Sequence, residues 1–243
     1  HLEFHWTEPE RRAFFEGLAG RHLLVRFDTR GTGLSDWDAK DLSLEARLRD
    51  LTAVVDTLGL ERFALAGWSE GGPTALLYAA RHPERVAHLI LYGSFHRWPH
   101  PPEVMAPIVG LVRSQWGMGS AALSAIFVPS GDPAQVAAFT EGQRVSASPE
   151  TAARIIEVNM SLDVTSLLNE IRVPTLIVHR RGDAIAPFDL AREMATLIPD
   201  ARLEPLEGDT HLPWLGDSQA ILDAIDAFLR EGEEEAASEP PPS

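Results

Sequence analysis

The sequence predicts an α/β fold, a mostly parallel sheet flanked by helices with a helical insertion over one end. Three observations lead there. Short apolar runs alternate with longer segments of helical period, strand and helix follow one another almost throughout, and residues 95–163 interrupt that alternation without a convincing strand of their own. A chain of 243 residues, 44% apolar and 23% charged, can bury one sizeable core, so a single α/β domain is expected rather than a disordered or fibrous protein.

Taken in order, Glu8 to Ala19 reads as a helix, with Thr7 and Glu10 spaced as a capping box. "HLLVRFD" (22–28) reads as a strand, and Leu44 to Leu58 as a helix capped by Ser43. "FALAGW" (63–68), a helix over Gly71 to His82 and "VAHLILYG" (86–93) continue the alternation. Residues 95–163 carry Trp98, Met105, Trp116, Met118, Phe127 and Phe139 among Gly and Pro breaks, and the stretch is too long for a connecting loop. It is expected to be a helical cap. Its aromatic and Met residues suit either an apolar substrate pocket or the cap's own core. "TLIVHR" (175–180), Phe188 to Leu197, "ARLEPLE" (201–207) and Ser218 to Arg230 resume the pattern. The domain reading is therefore a core of residues 1–94 and 164–230, a cap of 95–163, and an acidic Pro-rich tail or linker over 231–243.

Charge and composition exclude several function classes. The net charge is −15, and five of the acidic residues sit in 231–243, leaving −10 on the rest. So acidic a body disfavours phosphate backbones, and neither nucleic acid nor membrane is an expected partner. The absence of Cys removes disulfides, thiolate catalysis and Cys-ligated zinc. No run approaches a membrane span and no signal core is visible, so a cytoplasmic location is expected; the opening on His1 rather than Met suggests that the natural beginning is missing.

The stretch "AGWSEGG" (66–72) carries the chemistry. Gly67-Trp68-Ser69-Glu70-Gly71 fits G-x-S-x-G where a predicted strand gives way to a predicted helix. A sharp turn there exposes the middle side chain, and small neighbours let the chain pass, with Gly72 adding room. The helix that follows points free N–H groups at the turn, and the backbone N–H of Glu70 is the natural oxyanion donor. Trp68 could narrow the acyl side or pack beneath the turn.

A serine hydroxyl needs a base, and the base a carboxylate. Asp183 follows "TLIVHRRG" at a strand end, and His211 lies in "EGDTHLPW" beyond the next strand. The alternatives are a turn-forming Asp183 and a packed core His211, with Asp209 and Asp163 as runners-up for the acid. His96 and His100 are four apart, but the prolines of "FHRWPHPP" prevent a regular helix from presenting both to a metal, so no metal site is expected. In "FDTRGTGLSD" (27–36), Ser35 lacks the second glycine of the elbow; Asp28 and the glycines are read as organising a turn.

Together "FDTRGTGLSD", "AGWSEGGPTALLYAARHPERV", "RVPTLIVHRRGDAIAP" and "EGDTHLPW" resemble the α/β-hydrolase superfamily over essentially residues 1–230. More narrowly, they look like hydrolase domains associated with bacterial adenylate/guanylate cyclase modules or LuxR-type regulators. The resemblance implies Ser69, Asp183 and His211 as a triad, a small-molecule ester as substrate and no cofactor. A ligand-binding sensory domain regulating an attached output module is the alternative. Serine at 69 argues against dehalogenases and epoxide hydrolases, which place Asp there. The family sheet begins with further strands, and the loop after the third supplies a second oxyanion donor. Here that donor is either near His1 and Leu2 or missing, and an unpaired sheet edge could drive homo-oligomerisation.

Overall fold

The computed structural model describes residues 1–238. Its four strands, β1 (Phe63–Trp68), β2 (Val86–Tyr92), β3 (Thr175–Arg180) and β4 (Ala201–Leu206), form one sheet in the order β1-β2-β3-β4. Every pairing is parallel. Helices α1 (Leu2–His5), α2 (Pro9–Ala19) and α3 (Leu44–Thr57) precede β1, and α4 (Gly71–Arg81) joins β1 to β2. Four helices lie between β2 and β3: α5 (Pro102–Ser114), α6 (Trp116–Phe127), α7 (Pro133–Ser146) and α8 (Pro149–Met160). Then α9 (Phe188–Leu197) connects β3 to β4, and α10 (Ser218–Ser238) follows.

Both sheet faces are covered, which is why β2 and β3 read as apolar runs rather than alternating ones. Leu89, Leu91 and Ile177 pack with Leu48, Leu76 and Met194 of α3, α4 and α9. The intervening residues Ile90, Tyr92, Leu176 and Val178 turn to the other face, against Phe14 and Phe15 of α2 and Ile221 and Ile225 of α10. In register, Trp68 stands opposite Tyr92, Tyr92 opposite Val178, and Arg180 opposite Leu206. The carboxyl ends of the strands thus finish at one rim, and the segments leaving them start side by side.

Several expectations are corrected. Residues 22–28 belong to no strand. Alternating apolar residues predict an extended backbone, but a strand also needs a ladder partner, and β1 ends the described sheet without pairing to this segment. A cavity of about 870 Å³ lies between them, with Leu23, Val25 and Phe27 on one wall and Leu65 and Ala66 on the other. Leu23 is left 88% exposed.

The Thr7 capping box does not form either. Glu8 is the N-cap of α2 and makes no side-chain cap bond, while the Thr7 hydroxyl donates to the Phe4 carbonyl of α1, a short helix not anticipated. Ser43 does cap α3, accepting from the Ala46 N–H. Helix α10 runs on to Ser238, past the expected end at Arg230, as a Glu- and Ala-rich stretch favours. Residues 239–243, the Pro-rich end of the expected tail, lie outside the described residues.

Candidate active site

Ser69 is the one non-glycine with positive φ (50°) among the described residues, the strain expected of a side chain held out on a sharp strand-to-helix turn. The turn is pinned from below. The Ser69 N–H donates to the Tyr92 carbonyl at 3.0 Å, and the Ser69 carbonyl accepts from the Gly72 N–H (3.1 Å) and the Ser94 hydroxyl (2.9 Å).

Two of the three glycines are sterically required. A Cβ on Gly67 would sit 2.7 Å from the Ala75 Cβ, and one on Gly72 would overlap the Ser94 hydroxyl, whereas one on Gly71 would meet nothing. The second glycine of the sequence pattern is therefore not the tight one here; Gly72 is. Trp68 packs beneath the turn, stacked on Phe15 at 5.7 Å and edge-on to Tyr92, so it does not shape the acyl side.

The structure brings Ser69, His211 and Asp183 together from positions far apart in sequence. His211 Nε2 lies 2.8 Å from Ser69 Oγ, and His211 Nδ1 lies 2.7 Å from Asp183 Oδ2. Asp183 Oδ1 accepts from the N–H groups of Ile185 (2.9 Å) and Ala186 (3.1 Å). Burial pushes the Asp183 carboxyl up, but the His211 hydrogen bond, the His211 charge and the Ala186 N–H pull harder, and the net position is below the ordinary carboxylate value. An ionised carboxylate only accepts, so Nδ1 carries a proton, and in the neutral imidazole Nε2 is then the atom left to accept from the serine hydroxyl. The runners-up for the acid are occupied elsewhere: Asp209 accepts from the Ser130 hydroxyl, and Asp163 accepts from the Thr165 N–H.

Sequence reasoning missed the residues that hold the His211 loop. Arg180 is 1% exposed and spends its guanidinium on backbone carbonyls, donating to Thr210 (2.9 Å), Leu212 (2.8 Å) and Leu215 (2.5 Å). The available signal was an arginine ending a strand of otherwise buried residues. Phe127, at the end of α6, accepts the His211 N–H at 2.9 Å and sets its ring edge-on to the imidazole at 5.0 Å. Gly93 (φ 51°) completes the floor, since a Cβ there would press on Asp183 Oδ2 and His211 Cε1, both at 3.4 Å.

The other candidates fall outside this cluster. The ammonium of His1 donates to Ser146 Oγ, and the Leu2 N–H to Asp28 Oδ2, so those two N–H groups are engaged away from Ser69. Asp28 also accepts from the Leu34 N–H at 3.0 Å, organising the turn as expected. His96 lies 3.2 Å from Glu193 whereas His100 bonds the Ile185 carbonyl, and among the described residues no three His, Asp or Glu side chains converge as metal ligands. No described helix is long and apolar enough to cross a membrane.

A serine within hydrogen-bond reach of a histidine–carboxylate pair lies at the carboxyl rim of a parallel sheet, and comparison with known proteins places the fold. The family model for the alpha/beta hydrolase fold matches residues 5–216, and the chain belongs to that family. Among its relatives, the AB hydrolase superfamily protein YisY of Bacillus subtilis is 31% identical over 239 residues, covering 93% of this chain and 85% of that one. The pimeloyl-[acyl-carrier protein] methyl ester esterase of Nitrosomonas europaea is 29% identical over 225 residues, covering 88% and 87%. Of solved structures, the enol-lactonase from Burkholderia xenovorans superposes with a TM-score of 0.79 at 27% identity, covering 93% and 86%. These relationships support a hydrolase activity.

Proposed function

We propose that the chain is a serine hydrolase of small carboxylic esters working through an acyl-enzyme. The observation that carries this reading is the continuous hydrogen-bond path from Ser69 Oγ through His211 to the ionised Asp183. As Ser69 Oγ attacks the ester carbonyl, His211 Nε2 takes the hydroxyl proton, and Asp183 stabilises the imidazolium without accepting it. The tetrahedral oxyanion is held by the Glu70 N–H at the positive end of α4. Collapse expels the alcohol with the proton from His211; water, deprotonated by the same imidazole, then attacks the acyl-enzyme and releases the acid. No step calls for a cofactor or metal.

In this reading residues 95–163 are the cap over a core of 1–94 and 164–230, and Phe127 is part of its lining over His211. The open edge of β1 supports association of two copies through it, a reading that a concentration-independent monomer mass in sedimentation would overturn.

The test is hydrolysis of short p-nitrophenyl esters by the native chain and by Ser69→Ala, with a fluorophosphonate probe reporting on Ser69. Turnover and labelling that both vanish in the variant establish the enzyme. Tight binding of a small molecule without turnover or labelling would favour instead the ligand-binding sensory domain attached to a cyclase or LuxR-type output, the reading to which the sequence resemblance also points.

A further inference from the structure

Beside the Ser69 turn, three polar side chains from distant parts of the chain form a closed cluster. Arg47 stands on the buried face of α3, Asn159 in the last turn of α8, and Glu70 directly after Ser69; Arg47 is 8% exposed and Asn159 5%. Asn159 Nδ2 donates to Glu70 Oε2 at 2.5 Å, while Asn159 Oδ1 accepts from Arg47 Nη1 at 2.9 Å. The same Nη1 lies 3.7 Å from Glu70 Oε2, and Arg47 Nε donates to the Leu42 carbonyl at 3.1 Å. An amide placed between a carboxylate and a guanidinium has one workable orientation. Flipped, it would turn its oxygen to Glu70 and its NH₂ to Arg47.

The cluster joins two parts of the molecule that also meet where Phe127 and Val128 pack on the His211 loop. Helix α8 belongs to the inserted helices, whereas α3 and the Ser69 turn belong to the core. Arg154, on the same helix, adds bonds to the carbonyls of Ala39 (3.3 Å) and Lys40. Glu70 is the N-cap of α4, so restraining its carboxylate restrains the residue whose N–H faces the developing oxyanion.

We propose that Asn159 and Arg47 are positioning residues which, through the Glu70 side chain, hold the oxyanion-binding turn in register and make its alignment depend on how α8 is seated. The inference rests on the serine-hydrolase reading. Because the oxyanion exists only in the transition state, its misalignment lowers kcat and leaves KM nearly unchanged.

The experiment compares Asn159→Asp, Glu70→Gln and the double variant with the native chain on a short p-nitrophenyl ester, with the melting temperature recorded for each. Asn159→Asp sets one carboxylate against another and is expected to lower kcat about 10-fold with KM nearly unchanged. Combining it with Glu70→Gln reverses donor and acceptor across the same gap while Arg47 keeps an anionic partner. The double variant is expected to return kcat to within about threefold of the native value. A native kcat in Asn159→Asp, or a double-variant loss equal to the product of the two single losses, overturns the proposal. So does a fall in melting temperature with kcat intact, the mark of a purely structural latch. If Asn159→Asp does not fold, Asn159→Leu, of similar volume, is expected to show the same kcat loss. Fluorophosphonate labelling of native Ser69 separates the two levels. Without labelling, the hydrolase reading falls and this one with it; with labelling and native kcat in the variants, only this one falls.

Discussion

Ser69 and His211 face each other across 2.8 Å, yet they are held by opposite means. Ser69 is fixed locally, by a strained turn, by two glycines without room for a Cβ and by bonds to β2 and the residues just after it. His211 has no such local frame. Its loop hangs on a guanidinium from β3, and its own N–H is taken by Phe127 of the inserted helices. The Ser69 turn is thus shaped by its own residues and the adjoining end of β2, and the His211 loop by more distant tertiary contacts. Disturbing the end of α6 should therefore displace the imidazole, whereas the serine turn answers to α8 through the Glu70 side chain.

The largest expected effects test the pairing itself. Ser69→Ala and His211→Gln should each lower ester turnover by about 10⁴-fold or more, and the double variant should lose little further, because the two act as a unit. Losses that multiply would show them to be independent. Next comes the support of His211. Arg180→Met leaves the carbonyls of Thr210, Leu212 and Leu215 without their donor inside the protein, and should cost about 3 kcal/mol of stability along with most of the turnover. Chemical denaturation and initial rates measure the two, and retention of both would remove Arg180 from the account.

The support of Ser69 is probed by a pair of glycines. Gly72→Ala forces a methyl onto Ser94 and should cost about 1–3 kcal/mol, whereas Gly71→Ala, facing open space, should change stability by less than about 0.5 kcal/mol. Equal effects would show that the crowding at Gly72 is not what shapes the turn.

The smallest effect is in pH. His179 is buried beside the base, 3.9 Å from Asp183 Oδ2, and burial holds its pKa below the ordinary value despite the Ala186 carbonyl on its Nε2. The unfolded chain then binds a proton at this site that the folded chain refuses. Its contribution to stability is intact above about pH 6.5 and is lost as pH falls from there toward the lower folded pKa. Asp183, also depressed, stabilises above its own ordinary value, and that contribution goes only as pH falls through its still lower folded pKa. His179→Gln should flatten the decline of melting temperature below pH 6.5 by about 2–4 °C, the remaining slope reflecting His5 and His96, which burial also lowers. An unchanged slope would show that His179 does not couple to folding.

Much of this was legible in the residues. β1 and β3 were bounded correctly by their apolar runs, which end at Trp68 before the serine turn and at Arg180, and Ser69, Asp183 and His211 could be chosen because each follows a strand at the same rim. The extended stretch 22–28 was misread for a definite reason: period-two alternation reports which way side chains turn, not whether a neighbouring backbone is there to pair. Thr7 was misread because a short helix, α1, claimed its hydroxyl first.

By itself the sequence determined the local geometries: the strand-turn-helix around Ser69, the capping of α3 by Ser43, and the order of Ser69, Asp183 and His211 along the chain. Only the tertiary structure decided that Gly72 rather than Gly71 is the crowded glycine, that Arg180 and Phe127 carry the His211 loop, and that Arg47, Asn159 and Glu70 converge. Local geometry depends on torsions and on neighbours a few residues away, which a reader of the chain can count. The others depend on side chains as many as 112 positions apart arriving at hydrogen-bond distance, and that is settled only when the helices have packed.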